Sequence, residues 1–314
     1  MNSFEKLATY LENKPKPPVQ IKKVIQVLLV RTTAENVVLR TESGGTLNTD
    51  YVPLDTRPDS GMVSRVLFLA EKQKATENRH FAQLIQTAAE MNGVSIHECY
   101  LKDNLCLECP RCVLFGASSV YNKTDNINIK HRVTYSDSFS LLPTEQIIRT
   151  QTFNSVDDMR QNVGQALNTM DVVRPGAMFP SIVTLVSATR DELVLMLKTL
   201  MSKLQYGGNT RVAGHFTNTI TGIIASTDEV ITSLEYTQAL YEMRDDKSAL
   251  QEKTASILRR YNATAPTPSN AVIFSPQEVE DLLKAVREVA LDKEFVQRIY
   301  KDSAEYRKIQ KTAK

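Results

Sequence analysis

The sequence alternates short apolar runs, which predict strands, with longer segments that repeat apolar residues at helical spacing. An apolar run over residues 19–31, rich in Val, Ile and Leu, predicts a long strand, and residues 37–41 predict its returning neighbour. Residues 71–91 place apolar side chains three and four positions apart, which predicts a helix that ends near Gly93. Residues 1–13 predict a short helix or an ordered arm.

The second half of the chain repeats this order. Residues 181–188 predict a buried strand, and Thr189 is placed to cap a helix that runs to about Gln205, since acidic residues fill its first turn. Residues 228–261 and 276–309 predict two further helices. Strands that alternate with helices and return antiparallel favour an α+β fold. A four-stranded sheet with two helices on one face, the RNA-recognition type, fits this order.

Composition narrows the class of protein. The chain has 314 residues, of which 42% are apolar, so it can bury a sizeable core. No run approaches the roughly 18 apolar residues of a membrane-spanning helix, and the N-terminus lacks the pattern of a secretory signal, so we expect a cytoplasmic protein without a membrane partner. The net charge of +2 is too balanced to establish a nucleic-acid partner, although acidic surface elsewhere can offset a basic groove.

The cysteines carry a stronger signal. All four, Cys99, Cys106, Cys109 and Cys112, lie within fourteen residues, separated by six, two and two residues. A reducing compartment keeps thiols free, and clustered cysteines there bind metal more often than they form disulfides. Four thiolates complete the tetrahedral shell of a structural zinc ion, which stabilises a loop and leaves no open position for catalysis. We therefore expect structural Zn²⁺ on these four residues.

Three other interpretations of the cysteines stay open. An iron–sulfur cluster is one, although no further cysteine follows Cys112 at the spacing of a ferredoxin. A redox dithiol is another, although the local sequence lacks the strand and helix of a thioredoxin-like unit. In the third, His97 replaces Cys99 as the fourth zinc ligand.

The glycine-rich segment 205–216 (QYGGNTRVAGHF) has two interpretations. In one, Gly207 ends the preceding helix as a left-handed cap and the rest turns into a strand. In the other, the glycines let a phosphate approach the main chain, Arg211 pairs with it, and His215 donates to it or stacks on a base. The segment is neither a Walker loop nor a dinucleotide-binding fingerprint.

Three stretches of the sequence resemble a known family. They are residues 106–117 (CLECPRCVLFGA), 137–153 (DSFSLLPTEQIIRTQTF) and 206–218 (YGGNTRVAGHFTN). The chain resembles the backbone subunit of type I-D CRISPR effector complexes (Cascade), in the Cas-seven family of the RAMP superfamily.

The resemblance implies an RNA-recognition-like (ferredoxin-like) core with inserted zinc-binding, thumb or lid, and helical modules. The expected organisation is one elaborated domain, 1–314, with a zinc-binding module at 94–120, a loop or hairpin at 121–155 and a helical region at 228–314. Copies of such subunits form a filament along a CRISPR RNA and present its bases to target DNA or RNA. The implied partners are a Cas-ten-like large subunit, a Cas-five-like subunit and a guide-processing nuclease.

Holding a guide of any sequence requires contacts to phosphates and stacking surfaces. The candidate RNA-binding residues are Lys72, Lys74, Lys123, Lys130, His131, Arg132, Arg149, Gly207, Gly208, Asn209, Arg211 and His215.

Catalysis is not indicated. Related subunits of type III complexes cut target RNA with a loop aspartate, and the acidic segment 42–61 offers Asp50, Asp55 and Asp59, but the sequence does not identify any of them as that residue. We expect a binding subunit without its own active site. Two alternatives stay open: a guide-dependent endoribonuclease that uses a loop aspartate, and a zinc-bearing protein-interaction domain that never meets RNA.

Overall fold

A computed structural model describes residues 3–17, 21–40, 47–101, 104–119, 127–156, 163–207, 214–265 and 271–312. The strands are β1 (Val24–Thr33), β2 (Thr49–Pro53), β3 (Met62–Phe68), β4 (Ala117–Ser119), β5 (Ile127–Ile129), β6 (Val133–Tyr135), β7 (Ser138–Phe139), β8 (Ile148–Val156), β9 (Val163–Val173), β10 (Met178–Val186), β11 (Leu204–Gln205), β12 (His215–Ser226) and β13 (Val272–Ile273). The helices are α1 (Ser3–Leu7), α2 (Ala70–Met91), α3 (Pro110–Phe115), α4 (Thr144–Ile147), α5 (Arg190–Met201), α6 (Ser233–Glu242), α7 (Leu250–Ala263), α8 (Pro276–Glu288) and α9 (Lys293–Thr312).

The centre of the molecule is an antiparallel sheet in the order β11-β12-β1-β10-β6, with β13 paired to the far end of β12. Strand β1 lies between β12 and β10, and its Val, Ile and Leu side chains suit a strand that is buried on both faces. The chain is therefore a mixed α/β protein with antiparallel sheets, and the predicted strands at the start and in the middle of the chain are both present.

Helices cover both faces of this sheet. Ile25, Val27 and Leu29 of β1 lie in the core that α2 and α5 complete. Leu28 and Val30 lie in the core on the other face, where α6 and α7 pack. The sheet surface is thus closed to a ligand on either side, and a binding site has to lie at the ends of the strands or in the connections.

Gly222 of β12 explains how α7 packs so closely on the second face. A Cβ atom at this position would lie 2.6 Å from Cγ2 of Thr254 and 3.2 Å from Cδ1 of Leu258. Any larger side chain would push α7 away from the sheet.

The helix after Thr189 is confirmed at its start and is shorter than predicted at its end. The Thr189 side chain accepts from the backbone N–H of Glu192, whose carboxylate accepts from the N–H of Thr189, which forms a capping box. The helix ends at Met201 because Leu204 and Gln205 pair with the beginning of β12 instead. Gly207 is therefore not a helix cap, and it follows a strand.

Three other predicted elements also differ. The helix expected over 276–309 is two helices, since α8 ends at Glu288 and α9 begins at Lys293. The helix expected over 228–261 is two helices, since α6 ends at Glu242 and α7 begins at Leu250. Residues 37–40 form no strand beyond a single bridge from Val37 to Val173. None of the helices in the described ranges has the length and apolar character that crossing a membrane requires.

The two segments predicted to be insertions contain elements outside the central sheet and one strand that belongs to it. Residues 94–120 contain α3 and β4, whereas residues 121–155 include β6, which is the edge strand of the central sheet. The hairpin β8–β9 follows and pairs as a separate two-stranded unit.

Candidate functional site: a cysteine cluster and a neighbouring basic surface

The four cysteines lie together. Their sulfur atoms are all within 4.8 Å of one another, and no disulfide joins them. Cys99 Sγ is 3.4 Å from Cys112 Sγ and 3.6 Å from Cys109 Sγ. In a tetrahedral zinc site with Zn–S bonds of about 2.3 Å, the sulfur atoms are about 3.8 Å apart. The donor set and its spacing therefore fit a tetrahedral metal ion. His97 is exposed and lies outside this group.

The local backbone makes the cluster. Cys109 is the N-cap of α3, and its sulfur accepts the backbone N–H of Cys112 at 3.5 Å. Pro110 starts the helix, where its fixed φ is already helical. Leu107, between Cys106 and Cys109, has a left-handed φ of 62°, which turns the chain so that both sulfurs face inward.

The pKa values of the four thiols shift in different directions. Hydrogen bonds with the other thiols lower the pKa of Cys99, and those with Cys109 and Cys112 lower the pKa of Cys106 to about 7. The pKa values of Cys109 and Cys112 are raised, first by their hydrogen bonds with Cys106. Four thiolates this close would repel one another, so all four can ionise together only around a cation.

The cysteine cluster is joined directly to the predicted basic residues. Gly116, at the end of α3, has a φ of 84°, and a Cβ there would lie 3.0 Å from both the Ile129 carbonyl and the His131 nitrogen. This close approach, which only glycine permits, places Lys130 and His131 beside the cluster.

Lys74, Lys130 and His131 form a basic surface beside the N-terminal part of α2. Lys130 and His131 are exposed, whereas Lys74 is half-buried. Burial lowers the pKa of Lys74, and burial followed by the charges of Lys74 and Lys130 lowers the pKa of His131. An anion bound here would relieve that repulsion. Lys72 lies two residues earlier, on nearly the opposite side of α2, and shares a small crevice of about 20 Å³ with Tyr206.

Arg132 does not belong to this surface. Its guanidinium is fully buried and forms a bidentate ion pair with the Glu192 carboxylate, with Nη1 3.0 Å from Oε2. Nη1 also donates to the Ser187 carbonyl at 3.0 Å, and the group lies over the Tyr306 ring. Arg132 therefore joins β6 to the start of α5, and its prediction as an RNA contact is wrong because no ligand can reach it. Arg149 is exposed at the start of β8, on a different element.

The glycine-rich segment connects β11 to β12. Gly207 and Gly214, the glycine pair, are in contact at its base, where a Cβ at Gly214 would lie 2.8 Å from both Cα and N of Gly207. Gly214 has a φ of 71°, and its carbonyl accepts the backbone N–H of Tyr206 at 3.0 Å. Close backbone approach thus accounts for these two glycines. The predicted contacts Lys123, Gly208, Asn209 and Arg211 lie outside the described residues.

His215 follows the glycine pair and already has protein partners. Its backbone N–H and Nδ1 both contact Oε1 of Glu35, at 2.9 and 2.6 Å, and its Nε2 is 2.9 Å from Nε2 of Gln205. The hydrogen bonds from His215 lower the pKa of Glu35. In this arrangement His215 supports the base of the connection, and contact with a phosphate would require it to exchange a partner.

A buried polar network beside the glycine pair was not predicted. The carboxylate of Glu77 accepts the Tyr206 hydroxyl on Oε1 and the Tyr135 hydroxyl on Oε2, each at 2.7 Å, and pairs with Arg31. Asn218 Nδ2 donates to the Tyr206 hydroxyl at 3.1 Å. The only sequence signal is that Arg31 ends an apolar strand and Glu77 stands among the apolar positions of a helix.

The acidic residues considered for catalysis do not converge. Asp55 forms an ion pair with Arg57, whose hydrogen bond lowers the pKa of Asp55. The Asp50 carboxylate accepts the backbone N–H of Tyr51 at 2.8 Å. Within the described ranges, the four cysteines are the only group of potential metal ligands, so no carboxylate cluster forms there.

The chain is similar to known proteins in both sequence and fold. Residues 6–300 match the family described as Csc2 Crispr. The crystal structure of Thermofilum pendens Csc2 has a similar fold over 98% of this chain and 96% of that chain, with a TM-score of 0.66 and 20% identity. A chain of a CRISPR RNA-guided surveillance complex, pre-nicking, is similar over 84% of this chain and 100% of its own, with a TM-score of 0.52 and 11% identity. No curated protein matches. Because the family match spans nearly the whole sequence, the chain belongs to the Csc2 Crispr family.

Proposed function

We propose that this chain is an RNA-binding backbone subunit of a CRISPR effector complex, of the type I-D kind that the sequence resembles. Copies of the chain form a filament along the CRISPR RNA, hold its sugar–phosphate backbone and leave its bases free to pair with target DNA or RNA. Its partners are a Cas-ten-like large subunit, a Cas-five-like subunit and a guide-processing nuclease, and it has no active site of its own.

One observation carries the proposal. Lys74, Lys130 and His131 form a basic surface beside α2, and Lys72 of the same helix shares a crevice with Tyr206, next to the glycine pair. Cationic side chains and the accessible backbone of the glycine pair can bind phosphates, whereas they do not distinguish the edges of different bases. Both sheet faces are covered by helices, so RNA would run past the strand ends and the connections.

The order of the central strands supports an RNA-recognition-like, ferredoxin-like core. The core elements follow one another along the chain as β1-α2-β6-β10-α5-β12, which is a βαββαβ order. In the sheet their strands lie in the order β12-β1-β10-β6, so the fourth strand of the unit is next to the first, and the third lies between the first and the second. Helices α2 and α5 pack on the same face. This is the arrangement of the βαββαβ unit.

The metal in the cysteine cluster is proposed to be zinc. Four thiolates at tetrahedral spacing suit Zn²⁺, and a closed four-sulfur shell leaves no position for substrate. When bound, the ion would hold α3 and, through Gly116, the segment that carries Lys130 and His131. The role of the metal is therefore to fix the basic surface in place.

Salt-dependent RNA binding tests this function. Filter binding of two single-stranded RNAs of unrelated sequence should give similar affinities that fall steeply as salt rises. Lys130→Ala should lower the slope of log affinity against log salt by about 1, as expected when one phosphate contact is lost. The exposed Lys247, between α6 and α7, is the matched control, and Lys247→Ala should leave the slope unchanged.

RNA binding and a cleavage assay together separate the alternatives. Absence of RNA binding would favour a protein-interaction domain, and binding confined to one RNA sequence would contradict backbone holding. Cleavage of a target RNA by the assembled complex, abolished by Asp50→Asn, would establish a nuclease instead.

A further inference from the structure

The Glu77 network places charged groups in the interior, where losing their hydration costs free energy. Arg31, Glu77 and Tyr206 are almost completely buried, and burying charged groups stabilises a fold less than apolar packing of the same volume. Nε and Nη2 of Arg31 have no hydrogen-bond partner among the described residues. A network that is costly and only partly satisfied points to a role other than stability.

We propose that Tyr206 is a positioning residue of the RNA-binding surface. Its hydroxyl, held by Glu77 and Arg31, fixes the glycine pair against the helix that carries Lys72 and Lys74. The inference rests on the proposed function and deepens it, since it assigns the geometry of the site to a side chain that does not itself contact RNA.

The position of Tyr206 in the chain carries the first step. It directly precedes Gly207, and its backbone N–H donates to the carbonyl of Gly214, so a shift of its backbone moves both glycines. The ring packs edge-on against Phe68 and Phe216, with centroids 5.1 and 5.3 Å away. The hydroxyl is then fixed by Glu77 at 2.7 Å and by Arg31 at 3.0 Å.

The position of Glu77 carries the second step. Glu77 lies on α2, which also holds Lys72 and Lys74, and Lys72 lines the same crevice as Tyr206. The Tyr206–Glu77 hydrogen bond therefore sets the spacing between the cations of α2 and the glycine pair. A site whose spacing is already fixed loses less conformational entropy when it binds a phosphate backbone.

Tyr135 offers a matched control. It donates to the other oxygen of the same carboxylate, also at 2.7 Å, but it lies on β6 at the other edge of the sheet. Tyr206→Phe and Tyr135→Phe each remove one hydroxyl from Glu77 and keep the ring. Tyr206→Phe also deprives Arg31 and Asn218 of an acceptor, so it should lower the thermal unfolding midpoint more than Tyr135→Phe, and of the two variants only Tyr206→Phe releases the glycine pair.

The experiment measures binding of a single-stranded RNA of mixed sequence to the wild-type chain and both variants. We expect Tyr206→Phe to weaken binding about tenfold and to lower the salt slope, and Tyr135→Phe to change the affinity less than about twofold. A double-mutant cycle with Lys72→Ala should show coupling to Tyr206→Phe, and the same cycle with Lys247→Ala should show none.

Equal affinities of the two variants would overturn the inference, whether both are weakened or both are unchanged. If Tyr206→Phe does not fold, Asn218→Ala removes a donor to the same hydroxyl, and it should weaken RNA binding in the same direction by a smaller factor. Failure of the wild-type chain to bind any RNA would instead contradict the proposed function, so the two failures are distinguishable.

Discussion

The cysteine cluster and the glycine pair lie against different parts of α2, and the chain builds them in opposite ways. All four sulfurs come from fourteen consecutive residues and are brought together by one turn and one short helix. The glycine pair is held by Glu77, Arg31 and Glu35, which come from elements far away in the sequence. The first site is a local structure that a metal completes, and the second depends on the whole sheet being assembled.

This difference determines what damages each region. Loss of a ligand should unfold the cysteine cluster first and lower the stability of the fold through it, whereas loss of a buried partner should disturb the sheet first.

Cys109→Ala should have the largest effect, because it removes one of four ligands and the N-cap of α3 together. We expect bound zinc to fall from one per chain to near zero, and the free energy of unfolding to drop by about 5 kcal/mol, as for loss of a structural metal. Metal analysis and denaturant unfolding measure both. The neighbouring Glu108→Gln should keep the zinc, and a fully stable Cys109→Ala chain would refute a structural metal.

Arg132→Met should be nearly as destabilising, by about 3–5 kcal/mol, because it leaves the buried Glu192 carboxylate unpaired. Lys130→Ala, two positions away and exposed, should leave stability unchanged and reduce RNA affinity. Denaturant unfolding and RNA binding of both variants should therefore give opposite results. If Arg132→Met lowered the salt slope of binding while the fold stayed intact, Arg132 would be a contact after all.

Gly214→Ala should cost about 1–2 kcal/mol for the left-handed backbone alone, and more for the collision with Gly207. Gly93 has a similar φ of 62° with open space around it, so Gly93→Ala isolates the backbone cost. Thermal unfolding of the two variants measures the difference. Equal losses would mean that the contact within the glycine pair is not tight.

Glu35→Gln should have the smallest effect, and it should depend on pH. The folded-state pKa of Glu35 is lowered by its hydrogen bonds with His215, so the ionised group stabilises the fold above its usual value of 4.5. That contribution disappears as pH falls through the lowered pKa. The unfolding midpoints of wild type and variant should differ at pH 6 and converge as the pH falls below the lowered pKa of Glu35. A constant difference across this range would rule out the hydrogen bond as the cause, and Glu90→Gln serves as an exposed control.

The sequence predicted those features that depend on neighbouring residues. The cysteine spacing identified the complete cluster, and the apolar runs located β1 and β10, because both signals are contained in short windows. The capping box at Thr189 is local in the same way.

Features that depend on distant partners were missed. The end of α5 was misplaced because β11 forms only by pairing with β12, and nothing in Leu204 or Gln205 themselves reports that. Arg132 has the same composition signal as Lys130, and only the fold shows that one is buried against Glu192 while the other is exposed. Tyr206 stands in the glycine-rich segment, but nothing in the sequence indicates that its hydroxyl contacts Glu77.

Photo-crosslinking of the chain to a single-stranded RNA, followed by mass spectrometric mapping, tests the central claim most directly. The crosslinks should fall in the peptides that contain Lys72 and Lys74, Lys130 and His131, and the glycine pair. Crosslinks confined to other surfaces, such as the exposed Tyr51 and Met62 of the β2–β3 hairpin, would contradict it.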